Sequence, residues 1–263
     1  MSEIIDYVWS QKGFIYDPLE GLTFGSYHLI MMAITASLFV VIWIIGGHVK
    51  NKQGFLIKIA LLLLVLEVLR VINFKYVFNR TWIGSISFHM CSIGIYMAII
   101  TGIFRKKWMF DMISLHALIG APLALIIPTG ILPWFNPYSF MPLQSFISHM
   151  LLFLMPLYAW RHQLWEVKLK HYYIPIISVL VSTGIAYGMS LYNLYYETGG
   201  STNFFWTRMK EPFFDLVWNL PYPWYLFVLI GIFMMSGLIV YLVLILFQVL
   251  FKSFKRDKVH SLS

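Results

Sequence analysis

The chain has 263 residues, of which 60% are hydrophobic and only 11% charged. A soluble domain carries about 25% charged residues, so lipid must solvate most of this surface, and the length is used by one all-α membrane domain. The formal charge of +8 does not indicate a nucleic-acid partner, because the basic residues stand in short loops between apolar runs and not on a soluble module. The single cysteine, Cys91, excludes an intramolecular disulfide and a cysteine-built zinc site.

Residues 1–27 hold Glu3, Asp6, Asp17 and Glu20 against Lys12, with no compact apolar stretch ending in a cleavage site. They are expected to form an outer N-terminal segment and not a signal peptide. No lipidation motif stands at either end. Seven apolar segments follow, at 28–47, 55–73, 83–104, 110–129, 144–164, 172–192 and 224–251. Each reaches or approaches the roughly 17–25 residues that cross a bilayer, and backbone in lipid must bond internally, so each is expected to be a helix. This predicts a seven-helix membrane domain over 28–251 and a basic tail at 252–263.

Orientation follows from the lysines and arginines. Twelve, including Lys50, Lys52, Arg105, Lys106, Lys107, Arg161, Lys168 and Lys252, fall on one side; five, Lys12, Lys75, Arg80, Arg208 and Lys210, fall on the other. Lys58 and Arg70 lie within a span. The richer side is expected to be cytoplasmic, which predicts a multi-pass protein of the cell membrane with an outer N-terminus and a cytoplasmic C-terminus.

In the second span Glu67, Arg70 and Asn73 recur every three residues and share a face, with Glu before Arg in the favourable order. Polar groups in a span are costly, so this triplet is either a packing ion pair or a wall of a site. The third span is expected to carry a polar face of Ser85, His89, Ser92 and Tyr96, and a seam of small residues, Gly84, Ser87, Cys91, Gly94 and Ala98. On a regular helix His89 and Cys91 would point about 200° apart. The segment 128–142 is rich in proline and aromatic residues and is expected to lie along the outer surface.

Gln144, Ser145, Ser148 and His149 form a polar stripe at the start of the fifth span. Gly184 and Gly188 in the sixth make a GxxxG, a signal of close helix packing. The loop 193–223 carries Phe204, Phe205, Trp206, Phe213, Phe214 and Trp218, either as an interfacial belt or as a lid. Alternating passages put Glu67, Arg70, Asn73, His89, Cys91 and His149 in the outer halves of three helices, which predicts one shared outer cavity. Asp111 and His116 start the fourth span at the other side and need not belong to it.

The HxC in Phe88-His89-Met90-Cys91, the proline-rich outer loop and His149 resemble the YwaF-like membrane proteins. So do Asn203-Phe204-Phe205-Trp206, Lys210-Glu211-Pro212 and Pro223-Trp224-Tyr225 near the end of the chain. The resemblance runs from about residue 20 to 250. Members often have Asp after the HxC cysteine, where this chain has Ser92. The family is related to the eukaryotic transmembrane protein 164 group, associated with cysteine-dependent acyl transfer between lipids. It is more distantly similar to androgen-induced membrane hydrolases, which use Thr and His on lipid esters.

The resemblance implies a seven-span bundle whose partners are membrane lipids. It implies a lipid acyltransferase or acyl hydrolase with Cys91 as nucleophile, His149 as base and His89 as an orienting group. Arg70 or Gln144 would steady the oxyanion, and Glu67, Asn73, Asn203 and Arg208 would contact the substrate. A free thiol is only a few per cent ionised near neutral pH, so such chemistry needs a nearby base. Neither a cofactor nor a metal is implied.

The rival reading is a transporter or lipid-binding protein using the Glu67–Arg70 pair, although no inverted repeat is evident. A metal-dependent hydrolase with His89, His149 and Glu67 as ligands has suitable donor types but no tight motif. Haem held by the two histidines would use the same residues. A retinal protein lacks its lysine, since 224–251 contains none.

Overall fold

The computed structural model describes residues 9, 24–128, 135, 139–201, 203–204, 220–221 and 223–260, with side chains up to residue 250. Among them there is no strand. The helices are α1 (Ser26–His48), α2 (Lys52–Tyr76), α3 (Met90–Phe104), α4 (Lys107–Leu115), α5 (Ala121–Ile126), α6 (Phe140–Arg161), α7 (Tyr173–Tyr195) and α8 (Trp224–His260). A π-helical turn, His116–Gly120, joins α4 to α5, so the two make one passage.

Five passages, Ser26–His48, Lys107–Ile126, Phe140–Arg161, Leu169–Tyr195 and Trp224–Leu250, are long and apolar enough to cross a membrane. The other two fall short for identifiable reasons. α2 has the length, with 25 residues, but carries Lys58, Glu67 and Arg70. α3 has 15 residues, about 22 Å at 1.5 Å per residue, less than the roughly 30 Å of hydrocarbon.

The third span was expected to be helical from residue 83, yet its helix begins at Met90. Local hydrogen bonds hold the preceding segment in a turn. The Thr81 hydroxyl accepts from Gly84 N at 3.0 Å, and the Ser85 hydroxyl donates to the Thr81 carbonyl at 2.8 Å. Both Thr81 N and its hydroxyl donate to the Thr198 carbonyl, each at 3.1 Å, tying this turn to the loop after α7. Ser and Thr side chains here offer the backbone an alternative to helix. A Cβ on Gly84 would lie 2.3 Å from that carbonyl, so the clasp requires glycine. At the other end α3 stops at Arg105, which takes a left-handed conformation (φ 58), and α4 starts two residues later.

α6 is the central helix: 67% of its span is buried, against 17% for α1. α2 and α3 both pack on it and on each other. The core joins Leu56, Leu63, Ala98, Phe110, Leu152, Met155 and Tyr158, and the Tyr158 hydroxyl donates to the Gly46 carbonyl at 3.0 Å. The outward faces of α1, α7 and α8 expose Val41, Ile44, Leu180, Val181, Ile232 and Leu246, as lipid-facing helices do.

The glycines divide sharply. A Cβ at Gly102 would meet Ala60 Cβ at 2.5 Å and the Leu56 carbonyl at 3.1 Å, so α2 and α3 touch there. Gly184 and Gly188 have nothing within 4 Å of a built Cβ. Among the described residues the expected close packing at that GxxxG is therefore absent: nothing packs on either glycine. Gly102→Ala should destabilise the detergent-solubilised protein by about 1–3 kcal/mol through overpacking, whereas Gly188→Ala should be neutral or gain up to about 1 kcal/mol of helix propensity. Thermal unfolding of both variants checks this, and the opposite ranking would refute the helix contact.

Candidate functional site

The site starts from a charge problem in α2. Glu67 and Arg70 are only 6% and 7% exposed. They solve the problem on their own helix: Arg70 Nε donates to Glu67 Oε2 at 2.9 Å, and Nη2 donates to the other carboxylate oxygen. Nη2 also donates to the Tyr96 hydroxyl of α3 at 3.0 Å, and that hydroxyl donates to the Ser87 carbonyl at 2.8 Å. The Ser92 hydroxyl donates to that of Ser87 at 2.9 Å. The ion pair thus reaches across to α3 and fixes the strand of chain leading into it.

His89 sits at the N-cap of α3, not in its interior (φ −59, ψ 149). The expected stripe from Ser85 through His89 along one helix is therefore not helical at its start, and the 200° separation from Cys91 does not apply. His89 lies in electrostatic range of both Arg70 and His149, and its ring stands edge-on to Phe204, 5.1 Å between centroids. Phe204 is held by its amide, which donates to the Ser190 hydroxyl at 2.8 Å.

His149, on α6, faces the charges of Arg70 and Glu67. Its Nδ1 lies 2.7 Å from the Ser145 carbonyl. That acceptor assigns the proton to Nδ1 and leaves the Nε2 lone pair available as a base. Gln144 is already engaged: its Nε2 donates to the Ser148 hydroxyl at 3.0 Å and to the Leu66 carbonyl at 3.5 Å. Asn73 donates to the Trp9 carbonyl at 3.0 Å, while its buried Oδ1 has no hydrogen bond among the described residues.

Three helices therefore bring Glu67, Arg70, His89 and His149 together as one polar cluster. His89 is exposed and Cys91, Ser92 and His149 are partly so, which makes the cluster reachable from outside the protein. Among the described residues no group of three His, Cys, Asp or Glu side chains comes together to hold a metal.

Cys91 sits in the small-residue seam. A Cβ on Gly120 of the π turn would lie 3.5 Å from its sulfur and 3.6 Å from Phe233. One turn further, a Cβ on Gly94 would meet His116 Cβ at 2.7 Å and Leu152 Cδ2 at 3.4 Å. The seam is thus the contact of α3 with both the π turn and α6. Among the described residues no hydrogen bond joins Cys91 to either histidine. α3 and α6 are the third and fifth passages and run the same way. Cys91 is three residues before Gly94 and His149 three before Leu152, so each lies about 4.5 Å along its own helix from the residue that makes this contact.

Two residues passed over in the sequence belong here. Arg80, read only as a topology charge, lies over the Phe74 ring at 4.2 Å and the Phe78 ring at 5.8 Å. Burial, and then the charge of Arg70, disfavour its cation, and it has no carboxylate partner among the described residues. Its position seven residues after Asn73, past the end of α2, gave no helical signal. His116, set apart as a residue of the opposite side, lies against Gly94 in the middle of the bundle and bonds Ser182 Oγ through Nε2 at 3.0 Å. Asn203 is described, its amide donating to the Ser201 hydroxyl at 3.3 Å, whereas Arg208, Phe205, Trp206 and the rest of that aromatic loop lie outside the described residues.

Removing one partner of a buried pair leaves the other charge uncompensated, at a cost of about 3–5 kcal/mol, while replacing both is far milder. Arg70→Met should therefore destabilise the protein strongly, and Glu67→Gln combined with Arg70→Met should recover most of the loss. Thermal unfolding in detergent compares them; a double variant as unstable as the sum of the singles would contradict the pairing.

No curated protein and no solved structure matches the chain. A family does: residues 23–248 match the TMEM164 family. That stretch takes in Glu67, Arg70, His89 and His149, together with Cys91 and both ends of the α3–α6 contact. On this match the chain is a multi-pass membrane protein that belongs to the TMEM164 family.

Proposed function

We propose that the protein transfers acyl groups between membrane lipids, with Cys91 as nucleophile and His149 as general base. The observation that carries the reading is the Gly94–Leu152 contact: on adjacent helices that run the same way, a thiol three residues before Gly94 and an imidazole three residues before Leu152 would face each other at one level. The HxC and His149 resemblance to cysteine-dependent acyl-transfer proteins supports the same pair.

In this scheme His149 Nε2 takes the thiol proton as Cys91 Sγ attacks the ester carbonyl of a lipid. The tetrahedral intermediate collapses, the alkoxide of the deacylated lipid leaves with the proton from His149, and an acyl-thioester remains. The hydroxyl of a second lipid, deprotonated by His149, then attacks the thioester carbonyl; the C–S bond breaks, the Cys91 thiolate leaves and regains its proton from His149, and water in place of the lipid hydroxyl gives hydrolysis. Arg70 supplies positive charge to the developing oxyanion. Arg80, which has no carboxylate partner among the described residues, supplies a cation for the lipid headgroup, and His89 orients the substrate or His149. The charge bias supports a site that opens toward the outer leaflet.

Purified protein in vesicles carrying a labelled acyl lipid should accumulate label on Cys91 as a hydroxylamine-sensitive thioester. Cys91→Ser should abolish transfer with thermal stability nearly unchanged, since the volumes are similar. His149→Ala should lower turnover about 100-fold or more, as loss of a general base does. Full activity in Cys91→Ser, or no acyl chemistry on a broad lipid panel, would sink the proposal and leave Cys91 as a packing residue.

A further inference from the structure

At the opposite end of the bundle the turn from α3 to α4 closes over a second polar feature. A cavity of about 240 Å³ opens between the start of α2, this turn and the end of α6. Arg105 and Lys107 stand at its rim, Gln53 and Gln163 supply side-chain amides, and Leu56 and Phe110 line its apolar floor. Lys106, between the two cations, caps α4 without a side-chain hydrogen bond, so the first-turn amides of α4 have no side-chain acceptor on the N-cap.

No ion pair holds either cation among the described residues, although Lys107 also borders a neighbouring hollow that contains Asp111 and Glu166. Arg105 donates only to the Ile103 carbonyl at 3.3 Å and to Gln53 Oε1 at 3.2 Å. Neither Arg105 nor Lys107 has an acidic partner among the described residues. The neighbouring Lys168 does, pairing with Glu166 at 3.1 Å. Basic residues that merely set topology need only stand in the loop; these two converge on one hollow with two amides and an open helix N-terminus. The flanking aromatics Phe104 and Trp108 are 60% and 51% exposed, as at a membrane–water boundary.

We propose that this cavity is a binding site for a phosphate group. Arg105 forks onto the phosphate oxygens, Lys107 adds a second charge, Gln53 and Gln163 donate to the ester or glycerol oxygens, and Leu56 and Phe110 meet the first carbons of the tail. The same chemistry would accept the headgroup of an anionic lipid or a soluble phosphate monoester. The site lies at the far end of the bundle from Cys91 and stands whether or not acyl transfer occurs.

Arg105 is suited to the test, because glycine at its left-handed position removes the charge while relieving the backbone. Full-length protein in detergent is titrated with short-chain phosphatidylglycerol, short-chain phosphatidylcholine, glycerol 3-phosphate and inorganic phosphate, with bound adducts read by native mass spectrometry. Phosphatidylglycerol should bind with one tight site per chain and outbind phosphatidylcholine. Arg105→Gly and Lys107→Gln should each weaken it about tenfold, the worth of one charge-assisted hydrogen bond, with Arg105→Gly at least as thermally stable as wild type. Lys168→Gln should leave binding unchanged. Displacement of the lipid by glycerol 3-phosphate at similar concentration assigns the site to soluble phosphates, and failure to displace assigns it to lipid. Equal binding of the zwitterionic lipid, or unaltered affinity in both Arg105→Gly and Lys107→Gln, overturns the proposal.

Discussion

A bidentate ion pair inside a membrane helix, Glu67 with Arg70, sets the arrangement of everything around it. Either charge alone would be costly in lipid. Together, three residues apart on α2, they neutralise each other without needing a second helix, so Arg70 can spend its remaining donor capacity on Tyr96. Tyr96 in turn holds the Ser87 carbonyl, and the backbone that delivers His89 to the N-cap of α3 is fixed from below. His149 reaches the same charges from α6. The pair is thus both a packing device and the electrostatic centre of the candidate site, and the two roles do not compete.

The second constraint is the shortness of α3. Because Thr81 and Ser85 draw the preceding chain into a turn clasped by Thr198, the helix begins late and its first residues open onto the cluster. Small residues then let it approach two partners at once. Cys91 and Gly94 meet the π turn and α6, and Gly102 meets α2. The π turn widens the fourth passage opposite the cysteine, a distortion that recurs at functional sites.

The helical membrane bundle was legible in composition and hydropathy because lipid imposes one rule on every crossing, and five of the passages meet it by length and composition alone. The facing of Glu67, Arg70 and Asn73 was legible too, since a three-residue spacing on a helix is a local property. What failed was local competition and distance. The sequence pattern of Ser85 to Tyr96 reads as one helical stripe, but hydroxyl bonds to backbone win over helix before Met90. Gly184 and Gly188 carry the packing signature, yet among the described residues nothing lies within 4 Å on their side. The nearness of Arg80 to Arg70 depends on how the chain leaves α2, and the approach of α3 to α6 on where two helices touch, and periodicity encodes neither.

The central claim is that Cys91 and His149 stand at one level across the α3–α6 contact. Since Cys91 is the only native cysteine, the variant His149→Cys contains a single possible thiol pair. A short bifunctional thiol reagent, or mild oxidation, should link the two positions within one chain, read by intact mass and by peptide mapping. Leu157→Cys, about two helical turns further along α6, should not link to Cys91. Efficient linking from position 157 with none from position 149 would contradict the account.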